Sequence, residues 1–203
     1  MDFRLFLRQI LHALAFLVPV IFLSGCLEYF TTVTPLTGIN VYDAYQVSQD
    51  ERGIYSIAKD KIVKTKIQTK IFGTSGLSNL NVDVESFYGD VYLIGVVPDA
   101  EHKEKLVELA KNTSGVNKIY TYIRFPKDGG ECEGNLAIML NLKNNLFKDS
   151  IISGTSVRVS VVQCSVVFTG IITDIEQEKH AIWYAKHING VRDVYSFLKI
   201  FKD

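Results

Sequence analysis

Catalysis needs a nucleophile, a base or a metal cluster gathered in one place, and each leaves a trace in sequence. The histidines are His12, His102, His180 and His187. Glu176 and His180 stand at i, i+4, a spacing that can turn both side chains to one ion from one helix face. A zinc site usually needs three or four ligands, and no further ligand accompanies them. No G-x-S-x-G, phosphate loop or H-E-x-x-H occurs. Cys164 has no histidine in its own turn to act as a base, so a buried or disulfide-bonded role suits it better than a nucleophilic one. The reading is therefore of a protein that is not an enzyme and holds no metal and no cofactor. An enzyme built on Glu176 and His180 is the remote alternative.

Charge narrows the partners. The chain has 203 residues, with Lys plus Arg at 22 and Asp plus Glu at 22, so its formal net charge is zero. A neutral chain lacks the basic face that displaces counterions from nucleic acid, and no nucleic-acid partner is expected. It also cannot hold a membrane by charge alone.

The apolar run from Ile10 to Phe22, behind Arg4 and Arg8, ends at Leu23-Ser24-Gly25-Cys26. A short positive region, an apolar core and small residues at the cut describe a secretory signal peptide, and the run is too short for a membrane-spanning helix. Leu-Ser-Gly-Cys resembles the lipobox of bacterial lipoproteins. That resemblance implies a signal peptide over 1–25, cleavage before Cys26, a diacylglyceryl thioether on its sulfur and an acylated new amino terminus carrying chains such as palmitate. Acyl chains contribute about 0.8 kcal/mol per buried methylene, enough for stable anchoring when two or three are present. Residues 26–53 then form the lipidated N-terminus and a tether, rich in threonine and without a sustained period. With Cys26 lipidated, Cys132 and Cys164 remain. An exported protein meets an oxidising compartment where two cysteines can pair, closing a loop of about 30 residues worth roughly 3–4 kcal/mol.

The elements that position these groups come in two copies. Residues 60–72 read as an amphipathic helix with Val63, Ile67 and Ile71 on one face and Lys61, Lys64, Lys66 and Lys70 on others. Val82 and Val84 alternate with polar residues as a half-buried strand, Tyr88-Gly89-Asp90 turns, and 91–97 returns with Gly95 inside it, a bulge or a close backbone approach. Asp99 caps a second helix, Gly115 closes it as C-cap, and 116–125 is the last strand. A shift of about 75 residues repeats the pattern without a gap. It brings Val82 onto Val157, Gly95 onto Gly170, Asp99 onto Asp174, Ala110 onto Ala185 and Gly115-Val116 onto Gly190-Val191. The fold class is α+β, two tandem αββαβ units with a small three-stranded mixed sheet and two helices each. The first occupies 54–126, a linker 127–134 and the second 135–203.

Val82-Asp83-Val84, Val91-Tyr92-Leu93-Ile94-Gly95, Ala110 and Gly115-Val116 resemble the BON domain, as do Val157-Arg158-Val159, Val166-Val167-Phe168-Thr169-Gly170, Ala185 and Gly190-Val191. With the lipobox, the chain looks like the dual-BON lipoproteins of the bacterial outer membrane. The resemblance implies periplasm-facing anchorage in the outer membrane, phospholipid binding and support of envelope integrity. One departure stands out. Cys164 occupies the place of the turn glycine Gly89, so the second hairpin turn is expected to differ in type.

Each copy serves as a control for the other. Lys61, Lys64 and Thr65 become Leu136, Met139 and Leu140, and Glu108 becomes Trp183. At about 100° per residue, Leu136, Met139, Leu140 and Phe147 share one flank of the second unit's first helix, with Lys143 among them. Extra apolar surface marks an interface, either with membrane or between the repeats. In dual-BON lipoproteins this helix is implicated in phospholipid contact. The expected partner is therefore membrane phospholipid of anionic head group, touched by Leu136, Met139, Leu140, Lys143, Phe147 and Trp183. The alternative is an adaptor that docks an envelope assembly machine or a wall-associated protein through the same flank.

Overall fold

In a computed structural model of the chain, the described residues are 53–128, 132, 134–152 and 157–201. The expected signal peptide, Cys26 and the expected tether up to residue 52 lie outside them. Helix α1 (Ile54–Gly73) leads to β1 (Asn81–Phe87), β2 (Asp90–Val96), α2 (Ala100–Lys111) and β3 (Lys118–Arg124). A 3₁₀ turn at Pro126–Asp128 precedes α3 (Asn135–Lys148), β4 (Arg158–Val162), β5 (Ser165–Ile172), α4 (Ile175–Lys186) and β6 (Asp193–Ile200). Each repeat builds its own three-stranded sheet, whose middle strand runs antiparallel to its hairpin partner and parallel to the last strand. This is the α+β architecture of paired αββαβ units that the repeat predicts.

In the first unit Val63, Ile67 and Ile71 of α1 meet Val84, Val91, Leu93, Leu106 and Ala110. Each large aliphatic side chain removed from water contributes about 1.5–3 kcal/mol, so this stripe fixes the helix on the sheet. The middle strand is buried on both faces. Val91 and Leu93 face the helices, whereas Tyr92 and Ile94 face away and join Phe87 and Tyr122 against Val162 and Val167 of the second unit. The two sheets therefore pack back to back, with the helices outside. A near-continuous apolar run is what a strand covered on both sides requires. Aromatic rings fill the seam, with Tyr122 4.6 Å from Tyr195 and Tyr92 5.8 Å from Phe197 between centroids. Lys199 crosses it, its Nζ donating to Asp90 Oδ2 at 2.6 Å and Tyr120 Oη at 3.0 Å. Burial alone would lower the Lys199 ammonium, but these oxygens hold it above lysine's ordinary value.

Three local expectations need correction. Helix α1 begins at Ile54 with Gly53 as N-cap, not at Asp60. Asp60 instead turns inward from within the helix and is buried, its carboxylate accepting from Ser86 Oγ, Tyr88 N and Gly89 N. It cages the β1–β2 turn. Gly115 and Gly190 are not the helix caps, which are Asn112 and His187. A further turn of chain separates them from each cap, and both sit at left-handed φ, +98° and +89°. Finally, the second hairpin turn is of the same type as the first. Gln163 and Cys164 take φ 49° and 63°, as Tyr88 and Gly89 take 54° and 78°. A left-handed pair matches the twist of the flanking strands in a two-residue turn, and the chain keeps it even where a cysteine must adopt it at a cost of about 1–2 kcal/mol.

Candidate functional site

The second unit's outer layer carries the candidate surface. Helix α3 buries Ile138, Leu142 and Leu146. Leu136, Leu140 and Phe147 lie about a third of a turn or more round from that stripe, with Met139 and Lys143 between. There Leu136 is 63% exposed, Leu140 57% and Phe147 44%, while Met139 and Lys143 are half-buried among them. Helix α4 lies beside α3 and buries Gln177, Ala181 and Ala185. Trp183 sits on its opposite side, 56% exposed, its ring 4.2 Å from His187 and 5.2 Å from Tyr184. The structure thus sets Leu136, Met139, Leu140, Lys143 and Phe147 along one helix and Trp183 on the next. The reading of this flank as a seam between the repeats is overturned. The seam is made by the sheets, and the flank faces away from it.

The other repeat explains why the flank can be apolar here. Lys64 Nζ in α1 reaches Glu85 Oε1 at 2.9 Å. At the matching places the second unit has Met139 and the buried Ser160, so neither charge remains to be satisfied. Both α2 and α4 start on an aspartate. Asp99 accepts from His102 N and pairs with its ring, which lowers the Asp99 carboxyl. Asp174 and Gln177 close a reciprocal capping box.

Asp149, the C-cap of α3, ties this helix to α4. It is buried and accepts from Ile151 N at 2.8 Å, Ile152 N at 3.0 Å and the His180 ring at 3.1 Å. Burial would raise its carboxyl, but the bonds from His180, the two backbone amides and Tyr184 outweigh it and hold the group below its ordinary 3.8. Nothing in the sequence pattern singles out Asp149. Its only signal was an aspartate within a turn of the helix end. A depressed carboxyl contributes stability that is fully present above the unfolded value and is lost as pH falls through the folded one. Asp149→Asn is expected to cost about 1–2 kcal/mol at neutral pH. The gap between the variant's and the parent's melting temperatures should begin to narrow as pH falls through about 4 and close only below the lower folded value. Melting curves at pH 7 and pH 3.5 check this, and an unchanged gap at both would refute it.

The remote catalytic pair is not assembled. Glu176 Oε1 takes Lys179 Nζ at 2.6 Å, while His180 faces Asp149. Among the described residues no three His, Cys, Asp or Glu side chains are grouped to hold a metal, and no helix is long and apolar enough to cross a membrane.

Cys132, in the linker, is bonded to Cys164 in the β4–β5 turn, with 5.8 Å between their α-carbons. Asn135 Oδ1 accepts from Cys164 N at 2.8 Å. Among the structural glycines, a Cβ on Gly95 would stand 2.2 Å from Asn81 O and 2.8 Å from Val82 Cα, so this is a close backbone approach. Gly170 sits at a φ of 134°, a conformation that L side chains rarely adopt.

Two αββαβ units fused through their sheets, with helices outward and an apolar flank on the second, define a tandem α+β repeat protein. The chain belongs to the BON domain family, whose pattern matches residues 59–127 and 137–200. It is 28% identical over 185 residues to the outer membrane lipoprotein DolP of Haemophilus influenzae, covering 90% of each chain. Over 84 residues it is 23% identical to an uncharacterized protein from the gshII 5′ region of Anaplasma centrale, 41% of this chain and 56% of that one. Two solved structures of CdsD, a structural protein of the type III secretion system of Chlamydia trachomatis, align at 16% identity over 70% of this chain. They cover 63% and 67% of the CdsD chains at TM-scores of 0.29 and 0.30.

Proposed function

We propose that this protein is a non-enzymatic lipoprotein, anchored through Cys26 in the outer membrane, whose folded part faces the periplasm. Its second BON domain docks on phospholipid, supporting the integrity of the envelope. The observation that carries the reading is the exposed flank of α3, Leu136, Leu140 and Phe147, on a helix that holds Lys143 and Lys148 and no acid. Apolar side chains with lysines beside them fit the boundary between acyl chains and anionic head groups. The DolP relative, itself an outer membrane lipoprotein, supports the anchoring half of the reading, since the likeness spans 90% of both chains. Leu27 follows the lipidated cysteine, and in the lipoproteins it resembles an aspartate there favours retention in the inner membrane.

Flotation tests the docking half. Protein beginning after Cys26, hence without lipid, should rise with vesicles containing phosphatidylglycerol and less with vesicles of zwitterionic lipid only. If it ignores every head-group composition and instead retains one envelope protein, the adaptor reading replaces this one. Fractionation of cells tests anchoring. The mature protein is expected with outer-membrane markers, and its recovery with inner-membrane markers alone would refute the assignment.

A further inference from the structure

We propose that the Cys132–Cys164 disulfide is a redox-sensitive clamp on the first turn of α3, so that a dithiol reductant weakens lipid docking. The inference rests on the docking surface proposed above and adds its regulation. The comparison between repeats carries it. In the first unit Asp60 lies well inside α1, which starts at Ile54, so the side chains that follow it already belong to a formed helix. In the second unit the matching residue, Asn135, is itself the first residue of α3. Gly134, the N-cap, offers no side-chain bond, and no acidic residue stands in the first turn. Leu136, Met139 and Leu140 are therefore presented by a helix start that lacks ordinary capping.

The contact to the turn is thinner as well. Asp60 takes Ser86 Oγ, Tyr88 N and Gly89 N. Asn135 takes Cys164 N, and Val161 stands where a serine hydroxyl would be. The covalent link from Cys132, which precedes α3, to the turn replaces the carboxylate cage. It also restrains Gln163 and Cys164, both at left-handed φ without being glycine. Cys132 is half-buried and Cys164 buried, so the Cys132 sulfur is the accessible one. A dithiol's thiolate attacks Cys132 Sγ and releases the Cys164 thiolate, which takes a proton. The reductant's second thiol then displaces Cys132 as a thiol. Two electrons and two protons pass to the protein, and the dithiol becomes a disulfide.

Protein lacking residues 1–26 would be floated on phosphatidylglycerol-containing vesicles, oxidised and after treatment with dithiothreitol. Reduction is expected to lower vesicle affinity about tenfold or more and to speed amide hydrogen exchange over 135–141, with α1 unchanged. Thiol labelling after denaturation should count no free thiol before reduction and two after it. Equal flotation and equal exchange in both states would overturn the clamp. Failure of the oxidised protein to float would overturn the docking surface instead, and the exchange comparison would still decide the clamp. The variant Cys132→Ser/Asn135→Asp/Val161→Ser/Cys164→Gly installs the first repeat's cage. It should dock like oxidised protein and ignore dithiothreitol, and a variant that docks like reduced protein would overturn the mechanism.

Discussion

Gly95→Ala is expected to destabilise the protein by about 2–4 kcal/mol, at or above the upper end of the usual cost of overpacking. The added Cβ would stand 2.2 Å from Asn81 O, a backbone atom that cannot rotate away. Gly95 pairs with Val82 and its neighbour Val96 with Asn81, so relief requires β1 to part from β2 at the open end of the hairpin. Beyond that end, Leu80 N bonds Leu77 O, and Leu77 is wholly buried, so the strand is not free to peel away. At about 2–4 °C per kcal/mol for a folded body of this size, the melting temperature should fall by roughly 5–15 °C. Gly170→Ala is the control. It meets strain from a φ of 134°, a region nearly reserved for glycine, and is expected to cost somewhat less, about 1–3 kcal/mol. Chemical denaturation of both variants checks the order, and equal small losses would show that β1 yields without effort.

The fold was legible because duplication and periodicity agree. Val63, Ile67 and Ile71 mark a helix face, Asp99 and Asp174 mark helix starts, and the shift that aligns the two copies also aligns their sheets. What was not legible is contact between elements far apart in sequence. The off-face residues Tyr92, Ile94, Tyr122 and Val167 are apolar, yet nothing local says that they cover one another. The spacing of Val63, Ile67 and Ile71 puts Asp60 at the start of a helix, and its inward role follows only once the turn at Tyr88-Gly89 is in place. Cys164 suggested a different turn because its own preference was weighed without the strand twist that decides the matter. In the candidate surface, the substitution of Leu136, Met139 and Leu140 for Lys61, Lys64 and Thr65 was visible. The distinction between a membrane face and a repeat seam was not, since both are apolar. Exposure of Leu136, Leu140 and Phe147 and the location of the seam at the sheets exclude the seam.

Glutamate at Leu136 or Leu140 is expected to abolish flotation with anionic vesicles while leaving the melting temperature nearly unchanged. Each side chain, if buried in the lipid interface, contributes about 1.5–3 kcal/mol. Glutamate removes that term and adds repulsion from an anionic surface, where each unit charge counts for about 1 kcal/mol. Together these make a loss of affinity on the order of a hundredfold at one position. The folded state should tolerate the change, because both residues are more than half exposed and the first repeat carries Lys61 and Thr65 in their places. Met139 is a poorer site for the test. It is half-buried, and its counterpart Lys64 is held by Glu85, so exchange in either direction disturbs a local contact. For the same reason the reciprocal gain is best sought with Lys61→Leu and Thr65→Leu, which leave the Lys64–Glu85 pair alone. If the face rather than its setting carries affinity, that double variant should bind vesicles more tightly than the parent. Normal flotation of the glutamate variants would remove α3 from the membrane assignment. A clear fall in melting temperature without loss of flotation would mark the flank as a packing surface.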